Sequence, residues 1–157
     1  MKGLLAIAGV LAFLMAAVFA VFYMNVRPKN LPLESAWQHI RFEREAGDEM
    51  IHAYTGARWL DSQRYFVIKG DPSRFDDRMK KLSEKQWNSP GSPHPWLVRI
   101  NEGPGKDLCP RSESTPSWWD VDALPSAVAV DVGPEGRHNG FIAVFSKERG
   151  LVYVLDR

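Results

Sequence analysis

The sequence predicts an α+β fold: an antiparallel sheet of about four or five strands with one or two helices packed on one face, preceded by a single transmembrane helix. Three observations carry this expectation. Residues 3–24 read GLLAIAGVLAFLMAAVFAVFYM, 22 residues without a charge. One later stretch, 71–85, combines a helix-opening signal with a helical apolar period. Short β-rich runs bounded by glycine and proline fill much of the remainder, and the last of them close as a hairpin. Strands that finish as a meander, rather than alternating with helices, argue against a doubly wound nucleotide-binding fold.

The N-terminal run comes first. At 1.5 Å per residue, 22 residues make roughly 33 Å of helix, enough for a hydrocarbon core of ~30 Å. No polar face interrupts it, Tyr23 stands where an interfacial ring would, and Arg27 and Lys29 close it. A cleaved signal peptide is the competing reading, with Lys2 as a minimal basic start and a small-residue cut after Ala20. The apolar run continues past that cut through Val21, Phe22, Tyr23 and Met24, which favours an uncleaved anchor. The cations after the run favour a cytoplasmic C-terminal part, whereas a very short basic start followed at once by the apolar run favours its export. The second layout is preferred here: a single-pass anchor in the inner (cytoplasmic) membrane, residues 1–24, with a linker at 25–32 and an exported domain at 33–157.

Within the domain, residues 33–46 read as a helix with Leu33, Trp37, Ile40 and Arg44 on one face and Gly47 just past its end; a strand over 39–43 fits almost as well. RYFVIK, from Arg64, is a strand closed by Gly70-Asp71-Pro72. Asp71 then caps the clearest helix, with Pro72 at its first position and Asp76 and Asp77 near the positive end of the dipole. Phe75, Met79 and Leu82 supply its core face, while Arg78, Lys80, Lys81 and Lys85 are expected in solvent or near its end. Residues 88–95 are a proline-rich loop and 96–100 a short strand. Residues 101–117 read as a long polar loop with little to bury. Strands at 126–132, at 140–145 and from Leu151 onward complete the sheet.

From residue 30 onward the chain holds 17 Lys and Arg against 19 Asp and Glu, once Lys2, Arg27 and Lys29 are set aside from the total of 20. A near-neutral domain without a basic stripe is a poor nucleic-acid binder. The four histidines, His39, His52, His94 and His138, are isolated, and with one cysteine no metal-ligand spacing exists. No metal site and no cofactor are expected. Cys109 precedes Pro110, away from any helix N-terminus that would activate a thiolate; at most it would cross-link two copies into a homodimer. The glycines 103 and 105 neither follow a strand nor open a helix, so they make no phosphate cradle. No serine sits in a nucleophile elbow.

Two stretches carry more. In HAYTGARWLD, His52, Arg58 and Asp61 bracket Tyr54 and Trp59. An imidazole beside a carboxylate can serve as a general base, so a small hydrolase using His52 and Asp61 is one reading; a turn carrying the two rings into the core is the plainer one. SWWDVD, from Ser117 to Asp122, pairs two tryptophans with an Asp-x-Asp. Read as extended chain, it places Trp118, Asp120 and Asp122 on one side and Trp119 on the other. Trp118, Asp120 and Asp122 then form a candidate binding edge, and Trp119 joins the core. An aromatic ring with a polar rim suits a protein interface or a sugar-binding face.

The function these readings favour is a membrane-anchored, non-enzymatic domain that binds a protein partner outside the cytoplasm, as an envelope accessory or a toxin-neutralising protein. A carbohydrate or peptidoglycan binder stacking on a tryptophan is the alternative. In layout alone, a short anchor followed by a small exported α+β domain, the chain is similar to membrane-tethered bacteriocin immunity proteins.

Overall fold

The computed structural model describes residues 2–26, 28–56, 63–87, 96–109, 111–134 and 140–157. The fold is α+β around one seven-stranded antiparallel sheet. The strands are β1 (Lys29–Asn30), β2 (Glu49–Thr55), β3 (Arg64–Lys69), β4 (Trp96–Gly103), β5 (Ala127–Pro134), β6 (Phe141–Ser146) and β7 (Leu151–Asp156). Their lateral order is β1-β2-β3-β7-β6-β5-β4. The expected four or five strands become seven for two reasons. The anticipated linker at 25–32 adds β1 to the edge of β2, pairing Lys29 with Thr55 and Asn30 with Tyr54. The stretch before Thr55 forms β2, whose mixed pattern the sequence does not advertise, because a bulge breaks its alternation.

The helices are α1 (Lys2–Val26), α2 (Leu33–Ala36), α3 (Phe75–Glu84) and α4 (Gly105–Leu108). Among the described residues no helix is long and apolar enough to cross a membrane. In α1, side chains are described for residues 10–21 and 23, and all of these are exposed; Phe13 and Met15 are each 74 % accessible.

The sheet is covered on both faces, not one. On the first, α3 and the segment 40–48 close a core of Phe42, Phe66, Ile68, Phe75, Phe141 and Phe145. Phe75 packs edge-on against Phe145 with ring centres 5.4 Å apart. On the second, the segment 104–124 covers Tyr65, Val67, Val144 and Tyr153 with Cys109, Trp119, Val121 and Leu124. The expectation of a polar loop at 101–117, with Gly103 and Gly105 apart from any strand or helix, is therefore corrected: β4 runs on to Gly103, a turn of helix opens at Gly105, and Cys109 is buried. Gly105 makes this possible. A Cβ there would lie 1.9 Å from the carbonyl oxygen of Val121, and its own N–H donates to the Leu124 carbonyl at 3.0 Å. The two backbones touch, which only glycine permits.

The long helix expected at 33–46 is also corrected. Helix α2 ends at Ala36, a 3-10 turn spans Trp37–His39, and the chain then leaves regular structure. Arg78 explains what holds it. Expected in solvent, this side chain is 5 % exposed and forms a two-point ion pair with Asp48 at 3.0 and 2.7 Å. It also donates to the Glu43 carbonyl and lies over the Phe42 ring, 4.1 Å from its centre. Asp48 in turn accepts the N–H of Glu45 at 2.8 Å. Around this buried pair, Arg74 and Lys81 meet Glu45, each at 3.2 Å, and Lys85 meets Glu43. Positions 74, 78, 81 and 85 form one stripe of helical spacing. One side of α3 is thus a row of cations laid on the acids of 43–48.

Asp71 accepts the N–H of Ser73 at 3.0 Å and its hydroxyl at 2.7 Å. It caps a 3-10 turn, Pro72–Arg74, which runs directly into α3. Phe75, Met79 and Leu82 are 1, 9 and 6 % exposed, on the face toward the sheet.

Candidate functional site

On the second face of the sheet, where β2, β3 and β7 run side by side, aromatic rings accumulate from three separate parts of the chain. A bulge at Ile51 sets the arrangement. Met50 pairs with Ile68 and His52 with Val67, so Ile51 has no partner of its own. Because side chains alternate, one extra residue puts His52 and Tyr54 together on the face opposite Met50. Without the bulge, Met50, His52 and Tyr54 would all share one face.

His52 stacks on Trp118, with ring centres 4.7 Å apart and planes at 16°. Tyr54 meets the same ring at 89° and 6.4 Å. Behind them, Trp119 lies edge-on to Tyr65 at 5.1 Å and to Tyr153 at 5.5 Å, and touches Trp118 at 6.2 Å. Trp119 is 1 % exposed, whereas Trp118 is half-buried and His52 exposed. The cluster therefore grades from a sealed core outward to a rim.

SWWDVD is not an extended strand. The N–H of Trp119 donates to the Pro116 carbonyl at 3.0 Å, and Val121–Ala123 form a 3-10 turn. The expectation that Asp120 and Asp122 share a side with Trp118 through strand alternation is corrected accordingly, because a turn has no period of two. The two carboxylates bind different partners. Asp120 accepts the Tyr153 hydroxyl at 2.9 Å and pairs with Arg149, whereas Asp122 pairs with Arg111 at 3.2 Å. Arg111 also donates to the carbonyl of Trp119. Both aspartates thus brace the turn that presents the tryptophans. Burial pushes the Tyr153 hydroxyl above its usual pKa, so it stays a donor to Asp120 across the neutral range. The hydrogen bonds that Arg149 donates to the Tyr153 hydroxyl and to Asp120 hold its guanidinium still more firmly protonated.

A second brace sits beside Tyr65. Its hydroxyl donates to the Gln63 side chain at 2.7 Å and meets Ser112 at 3.1 Å, while Ser114 donates to the same amide oxygen at 3.1 Å. The N–H of Ser112 is taken by Thr115 at 2.8 Å. This hydroxyl-rich knot ties 112–115 to the start of β3 and fixes the approach to Trp118. The sequence signal for it was only a polar loop; the contact with Gln63 and Tyr65 comes from tertiary structure.

The remaining sequence candidates separate. Asp61, Arg58 and Trp59 lie outside the described residues, as do His94 and His138. Cys109 is buried, and burial pushes its thiol up to about 12, so it offers no thiolate and is not presented to a second copy. Among the described residues, no group of three His, Cys, Asp or Glu could hold a metal ion. No protein-family model matches the chain, and neither a curated protein nor a solved structure does so.

Proposed function

We propose that this chain is a membrane-anchored, non-enzymatic domain that binds a protein partner outside the cytoplasm, with Trp118 as the centre of its contact surface and His52 and Tyr54 beside it. The observation that carries this reading is the way Trp118 is held. Its ring is fixed by His52, Tyr54 and Trp119 yet remains partly open to solvent. A tryptophan whose rotamer is already ordered loses little entropy on binding, which is how aromatic hot spots gain affinity. The stacking partner also bears on the sugar-binding alternative. A sugar needs an open ring face, and His52 occupies one face of Trp118 at stacking distance.

The anchor belongs to the same proposal. The described side chains of α1 from Val10 to Val21 are all apolar and all exposed, and a bilayer would cover them. Holding a binder in the membrane plane raises its effective concentration toward anything that acts there.

The test is crosslinking in intact cells followed by detergent extraction and mass spectrometry of what travels with the full chain. Trp118→Ala should retain the thermal melt and weaken recovery of the partner by a factor corresponding to about 2 kcal/mol or more. Unchanged recovery with an unchanged melt overturns the assignment of Trp118.

A further inference from the structure

The two edges of the sheet are finished differently. At one edge β1 and the Leu31 N–H, which donates to the Ala53 carbonyl at 2.8 Å, cover part of β2 before Pro32 ends the run. At the other edge lies β4, eight residues paired to β5 in unbroken register from Trp96–Pro134 to Gly103–Ala127. It contains no proline and no bulge, and among the described residues no backbone group pairs with its outer side. Ile100, at its middle, is 51 % exposed. Long flat edges of this kind pair with other strands unless something blunts them.

Side chains on β4 say what would fit. Val98 packs toward the α3 side of the sheet, so Ile100 shares that side by alternation, and Arg99 lies on the other. Across the sheet, β5 meets them with Val132, Asp131 and Val130 in turn. Asp131 is divided between two cations: Arg157 holds it at 2.8 Å, and Arg99 reaches it only at 3.9 Å with 46 % of its own side chain exposed. Shared in this way, Asp131 leaves the Arg99 guanidinium loosely matched, and Glu102, the acid of β4 itself, lies on the other side by alternation.

We propose that the outer edge of β4 is a strand-addition site for an extended segment of another protein, one that places a carboxylate opposite Arg99 and apolar side chains opposite Val98 and Ile100. Main-chain hydrogen bonds supply the affinity and the alternating side chains the selectivity. A second copy of this chain fits less well. Two β4 strands related by a two-fold axis keep their faces aligned, so odd-numbered residues meet only odd-numbered ones. These are Leu97, Arg99, Asn101 and Gly103, none of them acidic. Self-pairing cannot neutralise Arg99.

The experiment titrates the full-length protein, in detergent micelles, into a fluorescent synthetic peptide of sequence Thr-Val-Asp-Val-Thr with a lysine at each end. A second peptide carries lysine in place of the aspartate. Saturable binding of the first is expected, with Arg99→Glu weakening it about tenfold and strengthening the second peptide by a similar factor. The reversal of preference also shows that the variant is folded. Absence of saturable binding, equal binding of both peptides, or indifference to Arg99→Glu overturns the proposal. So does efficient disulfide cross-linking of Ile100→Cys between copies without peptide, since a second copy would then own the edge.

Discussion

Trp118 and Trp119 are neighbours in sequence with opposite surroundings, and the difference has measurable consequences. Trp119 is enclosed by Tyr65, Tyr153 and the strands beneath it, so Trp119→Ala should cost roughly 3–5 kcal/mol in a denaturant melt. A loss well under 1 kcal/mol would mean that the ring does not seal this core. Asp156 makes a different prediction at the same scale. Its side chain is buried, one carboxylate oxygen has no hydrogen-bond partner among the described residues, and Arg41 reaches the other only at 3.7 Å. Burial raises its pKa, with Arg41 and Arg64 pulling the other way. A carboxyl with a raised folded pKa binds its proton more tightly in the folded state than in the unfolded one, so it favours folding below its unfolded pKa. That contribution is lost as pH rises through the folded value. Asp156→Asn should therefore match the native protein near pH 3 and gain stability over it as pH approaches 7. A variant less stable at pH 7 would show that the Arg41 pair outweighs the burial.

At the scale of elements, α3 and the segment 40–48 depend on each other through Arg78 and Asp48. Removing one member of a buried ion pair strands the other, so Arg78→Ala should cost about 3–5 kcal/mol, and Asp48→Ala a comparable amount. The double variant should lose much less than the two single losses added together, because neither charge is then left alone. Additive losses would mean that the two residues act separately. The cap at Asp71 is fully exposed, and Asp71→Ala should lower stability measurably less than either change at the buried pair. On the opposite face, Gly105→Ala forces a methyl group against the Val121 carbonyl, so 105–124 must shift off the sheet. The expected signature is a change in tryptophan fluorescence as the cover over Trp119 loosens, with the hydrogen exchange of β3 and β7 little altered.

For the whole molecule, the prediction concerns the N-terminal helix. If α1 is an uncleaved anchor, the mature protein keeps residues 1–24, sediments with membranes, and is released by detergent but not by alkaline carbonate. An intact mass that begins at Val21 would make it a secreted soluble domain instead.

Local chemistry determined much of this protein. The Asp71-Pro72 cap, the apolar spacing of Phe75, Met79 and Leu82, and the β-rich runs at 64–69 and 141–155 are legible because each follows from a few neighbouring residues. Tertiary structure decided the rest. A bulge at Ile51 breaks the alternation by which a strand is read, and it is this bulge that carries His52 to Trp118. Arg78 sits within a run of surface cations, and only the placement of Asp48, thirty residues away, makes burying it tolerable. The two tryptophans of SWWDVD differ because the chain turns at Pro116 and again at Val121, and not because a strand alternates. Pattern along a chain records which residues prefer water. Which buried charge finds its partner, and which ring is left at the rim, depends on segments that meet only after the sheet has formed.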